Sequence, residues 1–412
     1  MRASLFKKRL CPISHSHISP SMQKKKINKM PILAMNSSSF HQSKAGRFNR
    51  LAYMTNRWYA VALSKDVKPY PENQFNKPYG TRILGRDVIV FRDANGVPQC
   101  MDGICPHRSA PLSQGKVVNN NVVCPYHGWE FKGCSGKLCM IPSCPSYVGA
   151  LDQNVGLPKY HVVEKGGFIW LSFQPHGEKQ REKEKEKQVK EKELPPIPFV
   201  DQLEDPNWKP VYGEFYFDAP HWSVFDNAID MTHIHYLHGD SFGNEKQPVI
   251  HFEEKVDEND HMCTTYFSIN NKPVSPLWEW TKTDKVNVKA SVFLPSTSAI
   301  QIHLGQGVSM ITFVSTVPID AYKSVNRYAL IRNFSPWGGF DPWAQNAMRK
   351  IFSEDKAMVE KLRPEKVSSR EISVPSVDKP QLWLRKKKMQ SWINDGDSFV
   401  DPDFTDTMYG CL

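Results

Sequence analysis

Two stretches decide how this chain folds: Cys105-Pro106-His107 and, after sixteen intervening residues, Cys124-Pro125-Tyr126-His127-Gly128-Trp129. Each stretch offers one thiolate and one imidazole, in the spacings Cys-x-His and Cys-x₂-His. Thiolate and imidazole both suit zinc, so a structural zinc site is the alternative to weigh. Zinc sites usually pair Cys with Cys and His with His along the chain. Because each arm here supplies one of each, the pattern favours two linked irons, one held by thiolates and one by imidazoles.

The spacing, the proline after each cysteine and the Gly-Trp after His127 resemble the Rieske family. The resemblance implies one [2Fe–2S] Rieske cluster bound by Cys105, His107, Cys124 and His127. Two neutral imidazoles in place of thiolates raise the reduction potential to roughly −150 to +300 mV, above that of an all-Cys ferredoxin. Such a cluster accepts electrons from a ferredoxin and delivers them to a ferric iron. The nearby Cys134, Cys139 and Cys144 are expected to be ordinary free thiols on loops.

A second candidate iron site lies in Asn227-x₂-Asp230-x₂-His233-x₄-His238, within a helix expected over roughly Val224–Leu237. A facial triad of two imidazoles and one carboxylate leaves positions open for O₂ and water. Asp230 and His233 are three residues apart and share a helical face. His233 and His238 are five apart, about 140° around an ideal helix. Both can therefore bind one metal only if the helix loosens or bulges near its end.

From Trp58 to Ile393 the chain resembles the alpha subunits of Rieske-type aromatic-ring or tetrapyrrole oxygenases. In that family the Asn-x₂-Asp-x₂-His-x₄-His signature supplies two ligands of a mononuclear non-heme Fe(II). The resemblance puts these ligands on His233 and His238, the bridging aspartate on Asp230 and the nearby amide on Asn227. It also implies a third ligand, a carboxylate, far downstream on a late helix. His235 lies between the two ligands and is expected to point elsewhere.

Two neighbouring acids, Glu354 and Asp355, are the candidates for this third ligand, in a helix expected over Trp343–Leu362. The apolar face of this helix is expected to comprise Ala344, Met348, Ile351, Met358 and Leu362. Asp355 falls on that face, between Ile351 and Met358. Glu354 instead lies on the side of the helix that carries Lys350 and Lys361. A carboxylate among apolar residues is costly unless it is paired or binds a metal. The sequence therefore predicts Asp355 as the ligand and Glu354 as a solvated surface acid.

The predicted fold class is α+β, with two domains in a chain of 412 residues. Short strand-like runs and the hairpin turn Asp93-Ala94-Asn95-Gly96 predict a small all-β domain. It is followed by an antiparallel sheet packed by helices, a helix-grip-like catalytic domain. The expected segments are a presequence (1–50), the Rieske domain (51–176), a Lys/Glu- and Pro-rich linker (177–198), the mononuclear iron domain (199–395) and an acidic tail (396–412).

The net charge of +10 is concentrated at the start of the chain. The first fifty residues carry eleven Lys or Arg and no acid, and the remainder has 42 basic against 43 acidic side chains. A near-neutral folded part gives no overall basic field for nucleic acid. The acid-free, Ser-rich opening is typical of an organelle transit peptide, plastid rather than mitochondrial, although a disordered basic tail has the same composition. No run of eighteen apolar residues predicts a membrane span.

No dinucleotide-binding glycine motif is present, so a ferredoxin or a ferredoxin reductase is expected to supply electrons for use with O₂. The family resemblance also implies a cyclic homotrimer, in which Asp230 connects the cluster of one subunit to the iron of the next. The alternative from another functional class is a non-catalytic redox carrier or sensor that uses only the cluster and binds no second iron.

The catalytic half is rich in aromatic residues that are expected to be mostly core, with some lining a flat apolar pocket, namely Trp278, Trp280, Phe293, Trp337, Phe340 and Trp343. With the plastid-type opening, this resembles the group of chlorophyllide a and pheophorbide a oxygenases. The pheophorbide and inner-envelope-translocon branches end in C-x-x-C and membrane helices, which this sequence lacks, so the chlorophyllide branch is favoured. A hydrophobic chlorophyll-type tetrapyrrole is the expected substrate, and another small aromatic or alkaloid-like metabolite is the alternative.

Overall fold

The computed structural model describes residues 53–69, 76–150, 155–175, 194–239, 241, 243–270, 284–363, 372–395 and 398–399. The predicted presequence, the Lys/Glu tract, nearly all of the acidic tail, and Trp278 and Trp280 lie outside these residues. None of the helices within the described ranges is long and apolar enough to cross a membrane.

The first domain is all-β, as the sequence predicts, and contains two antiparallel sheets. The six-stranded sheet has the order β2-β11-β10-β5-β4-β3, with β2 Tyr59–Leu63, β3 Tyr79–Ile83, β4 Arg86–Arg92, β5 Pro98–Asp102, β10 Lys159–Lys165 and β11 Phe168–Pro175. The four-stranded sheet has the order β6-β7-β8-β9, with β6 Lys116–Val118, β7 Asn121–Val123, β8 Glu130–Lys132 and β9 Leu138–Met140. The predicted hairpin turn joins β4 to β5. Asp93 Oδ1 accepts the N–H of Asn95 at 2.9 Å, and Gly96 has a φ of +77°, which glycine adopts without strain.

The second domain is a seven-stranded antiparallel sheet in the order β12-β18-β17-β16-β15-β14-β13. Its strands are β12 Lys209–Phe217, β13 Ile250–Glu258, β14 Met262–Asn270, β15 Lys285–Phe293, β16 Thr297–Gly305, β17 Val308–Pro318 and β18 Ser324–Arg332. The helices that pack on it are α1 His221–Ile229, α2 Ile234–Leu237, α3 Asp341–Val359 and α4 Lys379–Asp395. Helix α4 was not expected from the sequence, because its lysine-rich stretch shows no clear apolar period.

The two ends of the described chain meet in a small pair of strands. β1 (Tyr53–Met54) pairs antiparallel with β19 (Ser398–Phe399). Met54 packs with Phe225, Trp383 and Leu384 in the core of the second domain. Met54, within the predicted Rieske segment, and Ser398–Phe399, within the predicted tail, therefore lie with the catalytic domain. The sequence did not indicate this, because pairing between distant strands leaves no local signal.

Helix α3 presents a different face to the sheet from the one expected. Its buried residues are Ala344, Met348, Phe352, Asp355 and Val359. Met358 and Leu362 are 48% and 45% exposed, so their assignment to the apolar face was wrong. Phe352 sets the rotation of the helix, because its ring lies 5.5 Å from that of Phe215 and 5.1 Å from that of Tyr328. This rotation places Asp355 in the middle of the buried stripe.

One hydrophobic core spans both domains. It joins Trp170 and Phe168 of the first domain to Phe313 and Ile331 of the second, and the rings of Phe168 and Phe313 are 5.6 Å apart. Arg327, which is 1% exposed, lies within this shared core. Its Nε donates to Glu214 Oε1 at 2.6 Å, and its Nη1 donates across the domain boundary to the carbonyl of Ala60 at 2.8 Å.

We expect Arg327→Met to lower the free energy of unfolding by about 3–5 kcal/mol, because it leaves the half-buried Glu214 without its counter-charge. Denaturant unfolding would measure this loss. The exposed pair Lys255–Asp257 provides a control, since Lys255→Met should cost at most about 1 kcal/mol. A loss for Arg327→Met no larger than that of the control would contradict a role in holding the domains together.

Candidate metal centres

The cluster-binding stretches form two loops with the same backbone hydrogen bonds. In the first, the N–H of Cys105 donates to the carbonyl of Ala110 at 2.9 Å, and that of Ser109 donates to Cys105 at 3.0 Å. In the second, Cys124 donates to Trp129 at 2.8 Å, and Gly128 donates to Cys124 at 3.1 Å. Ser109 and Gly128 occupy equivalent positions and both have a positive φ, 55° and 71°. The two loops thus present their Cys and His side chains from matching turns.

The four predicted cluster ligands converge at the tips of these loops. The thiols of Cys105 and Cys124 are buried within hydrogen-bonding reach of each other, and the rings of His107 and His127 are 4.7 Å apart. The Nδ1 atom of His107 is buried and has no hydrogen bond within the described residues. Two thiols on one side, two imidazoles on the other and an unpartnered ring nitrogen fit a [2Fe–2S] cluster of the Rieske type.

Aromatic rings support both histidines. Trp129 stacks on His107 with the ring centroids 4.3 Å apart and the planes within 5°. Tyr126 stacks on His127 at 3.9 Å and is itself 65% exposed. The imidazole side of this group therefore lies at the surface of the protein, while the thiol side is buried.

The second site depends on a break in the helix that the sequence predicted as continuous over Val224–Leu237. Helix α1 ends at Ile229, because Asp230 has an extended backbone with φ −83° and ψ 114°. Asp230 Oδ1 accepts hydrogen bonds from the N–H and the hydroxyl of Thr232, at 2.7 and 2.6 Å. This Asx-type turn competes with the helix and redirects the chain into α2. Helix α2 covers only one turn, and His238 directly after it has φ −101° and ψ 24°, so the loosening that the His233–His238 spacing requires occurs at the end of α2.

His233, His238 and Asp355 bring their ligand atoms together. The two Nε2 atoms are 3.3 Å apart, and Asp355 Oδ1 lies 3.6 Å from that of His233 and 3.3 Å from that of His238. Ligand atoms about 2.1 Å from a metal and at right angles to one another are about 3 Å apart. The three groups therefore fit one face of a mononuclear iron. Asn227 Nδ2 donates to Asp355 Oδ1 at 2.9 Å, which orients the carboxylate.

The two histidines differ in their electrostatic surroundings. Burial lowers the pKa of His233, which favours the neutral imidazole that binds metals. Burial also acts to lower the pKa of His238, but the neighbouring carboxylates of Asp355 and Glu354 outweigh it, and the pKa is raised. Asp355 contributes most of this rise through its contact with His238, and Glu354, which contacts only the second histidine, adds to it.

The expectation that Glu354 is a solvated surface acid is wrong. Its Oε2 lies 2.7 Å from His238 Nδ1, and its Oε1 accepts the hydroxyl of Ser241 at 2.6 Å. Helical periodicity separates Glu354 from Asp355 by about 100° and so assigned it to solvent. The fold of the chain after α2 places Ser241 and His238 over that side of α3. Only the adjacency of the two acids in sequence could have suggested a shared site.

The remaining predicted residues lie as follows. His235 is buried and accepts the N–H of Asn244 on its Nδ1 at 3.2 Å, so it does point away from the triad. Cys134 and Cys144 are exposed free thiols, as expected, whereas Cys139 is half-buried on strand β9, so its expected place on a loop was wrong. Of the six aromatic residues expected to be mostly core, Trp337 is 72% and Trp343 41% exposed, so these two do not belong to it. Phe293 packs against the core shared by the two domains.

An apolar cluster adjoins the second site, although the sequence did not identify it. Met231 and Ile234, which flank His233 along the chain, pack with Phe267 and neighbouring aliphatic side chains of β14 and β15. Ile234 and four further apolar residues of this cluster are only partly buried, namely Ile250, Phe252, Ile300 and Ile302. The surroundings of the triad thus include apolar surface that the core does not fully cover.

Comparisons with known proteins agree with this arrangement. Residues 57–161 match the Rieske [2Fe–2S] domain, and residues 217–394 match the vanillate O-demethylase oxygenase C-terminal domain. The chain is 32% identical to chlorophyllide a oxygenase of Chlamydomonas reinhardtii over 191 residues, 46% of this chain and 25% of that protein. It is 24% identical to protein TIC 55 of Pisum sativum over 376 residues, 84% of this chain and 58% of that protein. The chain therefore spans less than two thirds of these relatives.

Among solved structures, dicamba monooxygenase bound to dicamba superposes with a TM-score of 0.65 at 22% identity, over 83% of this chain and 100% of that one. This likeness shows that the fold is shared.

We expect Asp355→Ala to lower the iron content from about three to about two atoms per chain, because the triad loses one of its three ligands while the cluster keeps all four. Metal analysis measures the loss, and an unchanged visible spectrum of the cluster would show that the first domain is intact. Glu360→Ala, at the end of the same helix, should leave the iron content unchanged. Wild-type iron content in the Asp355 variant would contradict the assignment of this ligand.

Proposed function

We propose that this chain, which belongs to the Rieske non-heme iron oxygenases, inserts one oxygen atom from O₂ into a hydrophobic ring substrate, using electrons from a ferredoxin-type donor. The convergence of His233, His238 and Asp355 carries the proposal, because an electron carrier has no use for a second metal site. A non-catalytic redox protein is accordingly disfavoured.

When bound, the [2Fe–2S] cluster supplies electrons one at a time and the mononuclear Fe(II) supplies the site of O₂ activation. The protein separates electron entry from O₂ activation. The cluster would be held by Cys105, Cys124, His107 and His127, and the exposed imidazole side is where an electron donor can approach. Asn227 and the buried position of Asp355 fix the carboxylate at the triad, and the apolar cluster beside His233 limits the access of water.

We further propose that Asp230 connects the two centres across a subunit boundary in a homotrimer. Asp230 is half-buried next to His233, and only one of its carboxylate oxygens is used by Thr232 in the described contacts. His127 and Tyr126 are exposed on the opposite centre. A second copy of the chain can therefore bring its exposed cluster imidazole to the free oxygen of Asp230, forming a hydrogen-bonded path between the metals.

The proposed substrate is a chlorophyll-type tetrapyrrole. The half-buried side chains of Phe252, Ile300 and Ile302 suit a large apolar ring. The acid-free basic opening and the similarity to chloroplast proteins support action in the plastid. A second candidate is a small methylated aromatic compound that loses its methyl group after hydroxylation. This candidate is supported by the match of the catalytic domain to vanillate O-demethylase oxygenases.

The reaction is tested with the purified protein, ferredoxin, ferredoxin reductase, NADPH and O₂. With chlorophyllide a, we expect a hydroxymethyl or formyl product, identified by mass. With vanillate, or with another methoxylated aromatic, the demethylase alternative predicts formaldehyde and the free phenol. Oxygen consumption that depends on neither substrate class would refute both substrate assignments, and the Asp355→Ala variant provides the matched control without triad chemistry.

We expect Asp230→Asn to slow oxidation of the reduced cluster by O₂ and substrate about 10- to 100-fold, because it removes a charged partner of an iron-ligand histidine. Stopped-flow absorbance measures this rate, and reduction of the cluster by ferredoxin should be unchanged. Asp226→Asn is the control, since Asp226 lies four residues earlier, on α1, but pairs with Arg385.

The subunit arrangement has its own test. Cys105→Ala lacks the cluster and His233→Ala lacks the triad, so each variant alone should be inactive. Co-expression should restore part of the activity through mixed trimers, and a failure to restore any would contradict transfer between subunits.

A further inference from the structure

One half-buried carboxylate next to the triad has no role in the function proposed above. Glu354 is fixed at both of its oxygens, by His238 Nδ1 at 2.7 Å and by the hydroxyl of Ser241 at 2.6 Å. Ser241 is held in turn, because its N–H donates to the carbonyl of His238 at 2.9 Å. His238, Ser241 and Glu354 therefore form a closed hydrogen-bonded ring on the side of His238 that faces away from Asp355.

This ring determines which nitrogen of His238 carries a proton. An ionised carboxylate only accepts hydrogen bonds, so the contact with Glu354 requires a proton on Nδ1. In the neutral ring Nε2 then carries the lone pair, and it is the atom that lies 3.3 Å from both His233 Nε2 and Asp355 Oδ1. The contact thus selects the tautomer that a metal needs and fixes the plane of the ring.

His233 has no carboxylate in hydrogen-bonding contact with its ring. Its Nδ1 is buried near the backbone of Asp230, and no described side chain donates to it or accepts from it. The two imidazoles of the triad are therefore unequal, because a carboxylate contacts Nδ1 of His238 directly and none contacts Nδ1 of His233. The charges also balance, because Asp355 and Glu354 together offset the two positive charges of a divalent ion, although only one of them is a ligand.

We propose that Glu354, oriented by Ser241, is a positioning residue that sets the affinity of the triad for its divalent metal through His238. The proposal rests on the metal site of the proposed function but not on its substrate. The competing explanation is that Glu354 only stabilises α3 through its weak pair with Lys350, whose Nζ lies 3.8 Å from Glu354 Oε1.

The test measures metal binding directly, on protein from which the mononuclear iron has been removed by a chelator and which retains its cluster. Equilibrium dialysis against Co²⁺ gives the dissociation constant for the triad. Glu354→Ala should weaken binding about 10- to 100-fold. Glu354→Gln still accepts a hydrogen bond from Nδ1 without the charge, so we expect it to recover part of the loss. Ser241→Ala should weaken binding by a smaller factor, because the carboxylate remains but is less well oriented.

Two controls separate positioning from general stability. Lys350→Gln removes the competing pair, and Glu360→Gln changes another half-buried acid of α3. Both should leave the dissociation constant unchanged. An unchanged Co²⁺ affinity in Glu354→Ala, or an equal loss in Lys350→Gln, would overturn the proposal. If the affinities change as expected while no ring substrate is oxidised, only the proposed substrate fails.

Discussion

The buried guanidinium of Arg327 is the interaction on which the arrangement of the two domains depends. It lies in a hydrophobic core to which both domains contribute, and its hydrogen bonds reach Glu214 in one and the Ala60 carbonyl in the other. A charge in such a place is tolerated only when its partners are fixed in position. The first domain therefore cannot rotate on the catalytic sheet without breaking these contacts. The cluster imidazoles are consequently held in one orientation relative to the catalytic sheet.

The catalytic sheet imposes a second constraint, on the helices that carry the triad. Helix α3 is rotated by Phe352, which packs against β12 and β18, and Asp355 is buried as a result. A carboxylate in that position needs compensation. It receives one hydrogen bond from Asn227 on α1 and faces two imidazoles from the segment after α1. The metal site is thus formed where two helices, more than a hundred residues apart in sequence, meet on the same side of the sheet.

The break at Asp230 shows how local chemistry and tertiary packing combine. Asp230 and Thr232 form a turn from their own side chains, and this ends α1 without help from the rest of the protein. Periodicity could anticipate that His233 and His238 do not lie in one continuous helix, because an ideal helix would separate them by about 140°. It could not locate the break, since Asp and Thr are compatible with either a helix or a turn. The chain leaves α2 after Leu237, and this fixes the position of Ser241. The position of Ser241 in turn sets the orientation of Glu354.

The sequence by itself was enough to predict the cluster site, because all four proposed ligands lie in two short loops whose spacing and turn residues are local. It also indicated the class of each domain, and it predicted Asp355 as a ligand from an apolar stripe of which Ala344 and Met348 are buried and two other members are exposed. Only the tertiary structure decided that Glu354 faces His238, that Met358 and Leu362 are exposed, and that Met54 and the strand Ser398–Phe399 belong to the catalytic domain. Each of these depends on contacts between segments far apart in the chain. Such contacts are set by packing against the sheet, and the residue periodicity within a single segment cannot predict them.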